Sequence, residues 1–369
     1  MGTHVKESLT LSPYFLWILI HGTQMRSTLL LFQHRIIQGA EMDAWLSFAI
    51  VGVSFHLLLV MMFYLLKHAA EGDIISLHNQ LFGMWIGKLL TFVFYGYILL
   101  FIVNELRSYI EVIHVWVFPN SPQWSLSILL LLISAYIVSG GLRVITGITL
   151  LCVLIPSLLI PSLYFPLKHA QWTNFLPLFD HTAYQYAESA YHSLSTFMGA
   201  EFLLLLYPFI KNQEKSKKWA HLAVAHSTLI SLLIAVVTFA FLNLQELKHL
   251  IWPTLILSKI IRFPVLERFD YVYIFFWFFV IISPCCVGLW GCTRILKKTT
   301  PLKSRPALWI TIGIVFVIML PMKSPLMINK LDSALCLSGW ILMYGYIPLL
   351  CIWLGLRNRF SNIKRAASS

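Results

Sequence analysis

Two short stretches place chemically competent side chains inside apolar sequence. Residues 21–28, HGTQMRST, carry Gly22, Thr23, Gln24, Met25, Arg26 and Ser27, and residues 195–202, STFMGAEF, carry Phe197, Met198, Gly199, Ala200 and Glu201. Glycine loosens a helix, and the hydroxyls of Thr23, Ser27, Thr28 and Thr196 can satisfy backbone groups that an unwound turn releases. The broken ends would present N–H groups to a carboxylate and carbonyls to an ammonium, so the chemistry on offer is non-covalent capture of a zwitterion such as an amino acid. A carboxylate at mid-depth costs at least a few kcal/mol unless it is neutralised or paired. Glu201 therefore has two fates, a ligand or proton site, or a salt bridge to Arg26 on the facing stretch, the latter favoured in the empty state. Each stretch taken alone also fits a close helix packing contact.

A third group is NELRSYIEV, residues 104–112. Arg107 and Glu111 sit one helical turn apart and can pair, while Glu105 points to another face; an interfacial anchor and a coupling element are both open. Tyr97 lies deeper on the same helix and is a candidate ligand contact, although aromatic residues at that depth more often fill core. The six cysteines fall in apolar stretches without a CxxC pairing, and the histidines form no HxxxH or HExxH pair. Neither a metal nor a cofactor is implied, and no clustered acid, base or metal constellation suggests an enzyme.

The elements that must position these residues are membrane helices. Of the 369 residues 59% are hydrophobic and only 11% charged, at a mean hydropathy of +0.78, far more apolar surface than a water-soluble core could hide. The formal charge of +12 fits loops held against anionic lipid, and so much unbroken apolar sequence excludes a soluble nucleic-acid binder. Ten windows qualify as spans: 11–32, 44–66, 89–112, 124–140, 144–165, 189–210, 219–243, 271–293, 307–322 and 333–356. The N-terminal stretch reads as the first span rather than a signal peptide. Basic clusters at 211–218, 294–305 and 357–365 place both termini in the cytoplasm.

The two chemical stretches fall in the first and sixth windows, five apart. Interruptions at matching positions in two halves point to a midplane binding site, so the expected architecture is all-α and polytopic. It has ten transmembrane helices in a 5+5 inverted-repeat core of the LeuT/APC type, with helices 1 and 6 broken. We expect one domain over 1–369. The connection 244–270 is too apolar for water and too short to cross, and Pro253 and Pro264 break it, so a re-entrant or interfacial helix pair is expected there. Glu267, Arg268 and Asp270 would mark where the chain surfaces, beside the outer mouth or against a partner.

Several motifs in this order resemble one family. LIWPT at 250–254, LERFD at 266–270 with Trp277 downstream, FMGAE at 197–201, the ExRxxxE pattern of Glu105, Arg107 and Glu111, and YIVSGGL at 136–142 are similar to the B subunit of GerA-type spore germination receptors. That family resembles the amino acid/polyamine/organocation transporters. The resemblance implies a nutrient sensor in the inner membrane of a bacterial spore, working with an A subunit that has large soluble portions and a lipoprotein C subunit. A small germinant, typically an amino acid, sugar or nucleoside, would trigger germination. The alternative is a secondary amino acid permease. Where the family often shows a G-x-G turn, this chain has Met25-Arg26-Ser27, so Arg26 either recruits an anionic group or fills the cavity.

Overall fold

The computed structural model describes residues 10–261 and 268–366. Among the described residues there is no strand, and the chain is a bundle of apolar helices. In chain order these are α1 (Phe15–Gln24), α2 (Phe32–Ala40), α3 (Ala44–His68), α4 (Ile74–Trp116), α5 (Gln123–Ser139), α6 (Leu142–Ser157), α7 (Tyr164–Leu167) and α8 (Ala183–Phe197). They continue with α9 (Leu203–Leu206), α10 (Gln213–Phe241), α11 (Leu244–His249), α12 (Pro253–Ser258), α13 (Phe269–Thr299), α14 (Ser304–Met319), α15 (Pro325–Trp340) and α16 (Ile347–Ala366). Helices suit lipid because they satisfy their backbone groups internally. Among the described residues six helical segments are long and apolar enough to cross a membrane, and shorter apolar helices fill 123–139, 200–209 and 304–319.

Helices occupy each of the ten windows, with some boundaries moved. The first apolar segment runs past residue 32 to Ala40, and the tenth begins at Pro325 and continues through a π-helical turn, Ile341–Tyr346, into α16. α4 is divided at Gly83, whose φ of +76° and ψ of 177° no helix accommodates. The first window ends in the short turn Ser27–Leu30 after α1, and the sixth in α8, the turn Ala200–Phe202 and α9.

Around this break the bundle is tightly packed. α4 and α13 form its longest interface, α2 lies along α8, and α1 packs against α6, α10 and α13. The entry to α1 pairs with the exit of the α9 segment: Leu11 N–H donates to Phe209 O (2.7 Å), and Lys211 N–H to Leu11 O (2.8 Å). At that same end Asp73 caps α4 by accepting from Ser76 N–H (2.9 Å) and holds Arg294 (2.7 Å) and Lys298 (2.5 Å) of α13. Burial alone would raise the Asp73 carboxyl, but Arg294 and Lys298, with the hydrogen bonds of Lys298 and Ser76, hold it below the usual carboxylate range.

At the opposite end the 244–261 connection folds as two short helices. A capping box at Asn243 and Glu246 starts α11, and Pro253 at the first turn starts α12. α12 is buried rather than free: Thr254 Oγ1 donates to Leu29 O (2.8 Å) and accepts from Gln33 Nε2 (2.8 Å). Two short helices thus meet at Pro253, which is buried, while Pro264 lies outside the described residues.

Candidate ligand site

The backbone opens at two places that touch. Met25 and Arg26 are extended (φ −72°, ψ 106° and φ −133°, ψ 172°), which separates α1 from the following turn. Met198 is extended and Gly199 adopts φ +118°, a region that L side chains rarely enter. A Cβ on Gly199 would lie 2.4 Å from Thr23 O, so the glycine also allows the two turns to meet. The Thr23 hydroxyl lies 3.0 Å from Gly199 O, sharing its proton with Leu19 O and Ile20 O at 2.9 Å, and Gln24 Nε2 donates to Phe197 O (2.9 Å). Gly22 plays no part in the opening. It stays helical within α1, where a Cβ would collide with Thr149 Cγ2 at 2.5 Å and Ser283 Oγ at 2.9 Å, a packing role.

Arg26 fills the junction. Fully buried, it donates from Nε to Glu105 Oε2 (3.1 Å), from Nη1 to Ser195 O (3.2 Å) and from Nη2 to Asn104 Oδ1 (3.0 Å), and its guanidinium lies 4.3 Å from the centre of the Phe101 ring. Glu105, also buried, accepts in addition from Ser27 N–H (2.7 Å) and Ser27 Oγ (3.1 Å). The planar fork of arginine suits such a site, since each of its three nitrogens finds an oxygen. This corrects the expected pairing of Arg26 with Glu201. The reason is competition for partners: Glu105 of α4 meets the Arg26 guanidinium, while the Glu201 carboxylate is taken by Tyr97 Oη, also of α4 (2.7 Å), and by Gly199 N–H of its own turn (2.8 Å).

The network extends outward through residues the sequence reading passed over. Asn104 Nδ2 donates to Asp332 Oδ1 of α15 (3.3 Å), and Asp332 also pairs with Arg35 of α2. Asn104 is the first letter of NELR, and Asp332 is a lone acid one residue before the tenth window; a search for acids at window edges would have found it. Two polar atoms in the junction are buried without a hydrogen-bond partner, Gln24 Oε1 and Thr196 Oγ1. Phe197 is packed between Phe48 (4.7 Å between ring centres) and Phe55 (5.2 Å). Met198 lies against Gly339, and Ala200 is buried in the turn after Gly199. Met25 lies at the edge of a mostly apolar cavity of about 80 Å³ reaching His21, Cys152, His226, Thr254 and Trp277.

The remaining candidates stand apart from this junction. Arg107 and Glu111 approach to 3.7 Å on the face of α4 away from Glu105. Arg268 Nη2 donates to the buried Asp270 (2.7 Å) at the start of α13, and Arg268 Nη1 to Tyr271 Oη (2.6 Å). Glu267 lies outside the described residues. Among the described residues no group of three His, Cys, Asp or Glu side chains could hold a metal ion.

Over 92% of this chain and 88% of the other, the fold matches the crystal structure of MhsT in complex with L-phenylalanine, with a TM-score of 0.61 at 13% identity. Over 96% and 78% it matches a substrate-bound, outward-open Na+-coupled sialic acid symporter, with a TM-score of 0.59 at 10% identity. These likenesses show a LeuT-like transporter fold. In sequence, the chain is 34% identical to spore germination protein GerQB of Bacillus cereus, across 93% of this chain and 94% of that protein. It is 24% identical to spore germination protein B2 of Bacillus subtilis (strain 168), across 69% and 70%. The sequence profile of the spore permease family, described as spore germination protein, matches residues 10–327, and this chain belongs to that family.

Proposed function

We propose that this chain is the ligand-sensing membrane subunit of a nutrient germinant receptor, and that the junction of the two unwound turns is its sensor. One observation carries the reading: the Arg26–Glu105 pair, fully buried, ties the turn after α1 to α4 and, through Ser195 O, to α8. A buried pair of this kind is costly to open, yet a ligand that supplies its own charges can exchange with it. An incoming carboxylate would compete with Glu105 for Arg26, and an incoming ammonium with the two neutral donors that now hold Glu201. Gln24 Oε1 and Thr196 Oγ1 offer further hydrogen bonds, and the cavity beside Met25 suits a small apolar side chain. A zwitterionic amino acid fits this set. Binding would shift the population between two packings of the broken helices, and partner subunits would read the change.

The partners in this reading are an A subunit with soluble portions and a lipoprotein C subunit, and the location is the inner membrane of the spore with both termini on the core side. Support for orientation comes from the basic residues at the end of the bundle that holds Asp73, Lys211 and Lys298. The likeness to structures of a symporter and of MhsT with L-phenylalanine favours a second reading, an amino acid permease. Spores carrying Arg26→Met should lose dipicolinate release in response to amino acid nutrients while the subunit remains in the membrane by immunoblot. A normal response would remove the junction from sensing. Gradient-driven accumulation of an amino acid in proteoliposomes containing this chain alone would favour the permease.

A further inference from the structure

A second buried arginine lies in a different setting. Arg107 is 1% exposed, yet its Nε and Nη2 find no hydrogen-bond partner; Glu111, at 3.7 Å, is an ion-pair neighbour beyond hydrogen-bond distance, and Glu111 Oε2 is itself unpartnered. Leaving a buried charged donor unmade is expensive, so such a group marks a place where something else binds. Arg107 lines a pocket of about 470 Å³ between the ends of α4, α5 and α14, together with His114, Trp124, Phe316 and Lys323. His114 Nδ1 is also buried without a partner. The first turn of α5 forms part of the wall, and no side chain caps it, so its N–H groups add positive potential. The wall itself carries Arg107 and Lys323 as cations and, among the described residues, no acid; Glu111 is the carboxylate paired with Arg107, at 3.7 Å.

We propose that this pocket binds a phosphate-bearing anion and that an anionic phospholipid headgroup supplies it. Arg107 and Lys323 would hold the phosphate oxygens, the α5 terminus would contribute backbone N–H groups, and the acyl chains would lie on the flank. That flank is apolar and outward-facing, with Trp124, Ile128, Leu129, Val317 and Leu320 all exposed on α5 and at the end of α14. A cation at the interface attracts the phosphate of an anionic headgroup, and tryptophan favours the interface level at which a headgroup sits.

The test is thermal unfolding of the full-length chain, with any subunits that copurify, in a non-ionic detergent. Phosphatidylglycerol, phosphatidylcholine and inorganic phosphate would be titrated separately. Phosphatidylglycerol should give a saturable rise in melting temperature that phosphatidylcholine does not match. In Lys323→Gln, an exposed position with little bearing on folding, the half-saturating concentration should rise about fivefold, as expected for one interfacial cation. In Arg107→Gln the saturable response should vanish. Superimposable phosphatidylglycerol curves for wild type and Lys323→Gln would overturn the site even if Arg107→Gln failed to fold. A saturable response to inorganic phosphate alone, with the same dependence on Lys323, would overturn the lipid as occupant.

Discussion

Among the described residues two arginines are almost completely removed from solvent, and their surroundings differ. Arg26 makes three hydrogen bonds and covers the Phe101 ring, whereas Arg107 leaves two of its nitrogens unbonded beside an open pocket. The first is a completed lock across an interrupted segment, and the second is an unsatisfied cation in the last turns of α4. The difference teaches that burial of a charge does not by itself identify a binding site. What matters is whether the protein has already supplied the counter-charge, because a satisfied pair resists opening while an unsatisfied one invites a ligand.

Breaking the lock should have the largest effect. Arg26→Met leaves Glu105 buried without its cation and should cost about 3–5 kcal/mol of stability, read as a lowered melting temperature in detergent. Combining it with Glu105→Leu should restore part of the loss, and strict additivity of the two changes would mean that the pair is not coupled. Gly199→Ala attacks the same junction through the backbone. Strain at φ +118° should cost about 1–3 kcal/mol, and the clash with Thr23 O adds to it, so that a stable, normally responding variant would mean the two turns need not meet.

Smaller changes sharpen the contrast. Tyr97→Phe removes one of the two donors to Glu201 and should destabilise by about 1–2 kcal/mol while altering the nutrient response. Arg107→Gln, measured without added lipid, should cost under about 1 kcal/mol because its ion-pair neighbour Glu111 is loosely placed; a loss as large as that of Arg26→Met would erase the distinction between the two arginines. Lys217→Gln, on the exposed start of α10, should leave both melting temperature and response unchanged.

Much of this organisation was legible in the sequence. Long apolar windows in number and order announce membrane helices because a helix must span about 30 Å of hydrocarbon, and charges or glycines within them stand out against that background. Residues 21–28 and 195–202 therefore pointed to the junction, and Arg107 and Glu111 to a one-turn pair. Partner choice was not legible. Glu105 seemed to belong to an anchor, yet it takes Arg26, while Glu201 takes Tyr97 and its own backbone.

By itself the sequence determined the class of solvent and the helical architecture, which follow from local composition and periodicity that neighbouring residues settle among themselves, while its motifs in order carried the resemblance to the family. Only the tertiary structure decided that Gly22 packs rather than unwinds, that Asn104 and Asp332 join the network, and that one arginine is locked while the other is left unbonded. Those outcomes depend on directions and distances between helices far apart in the chain, to fractions of an ångström, and no one-dimensional pattern records them.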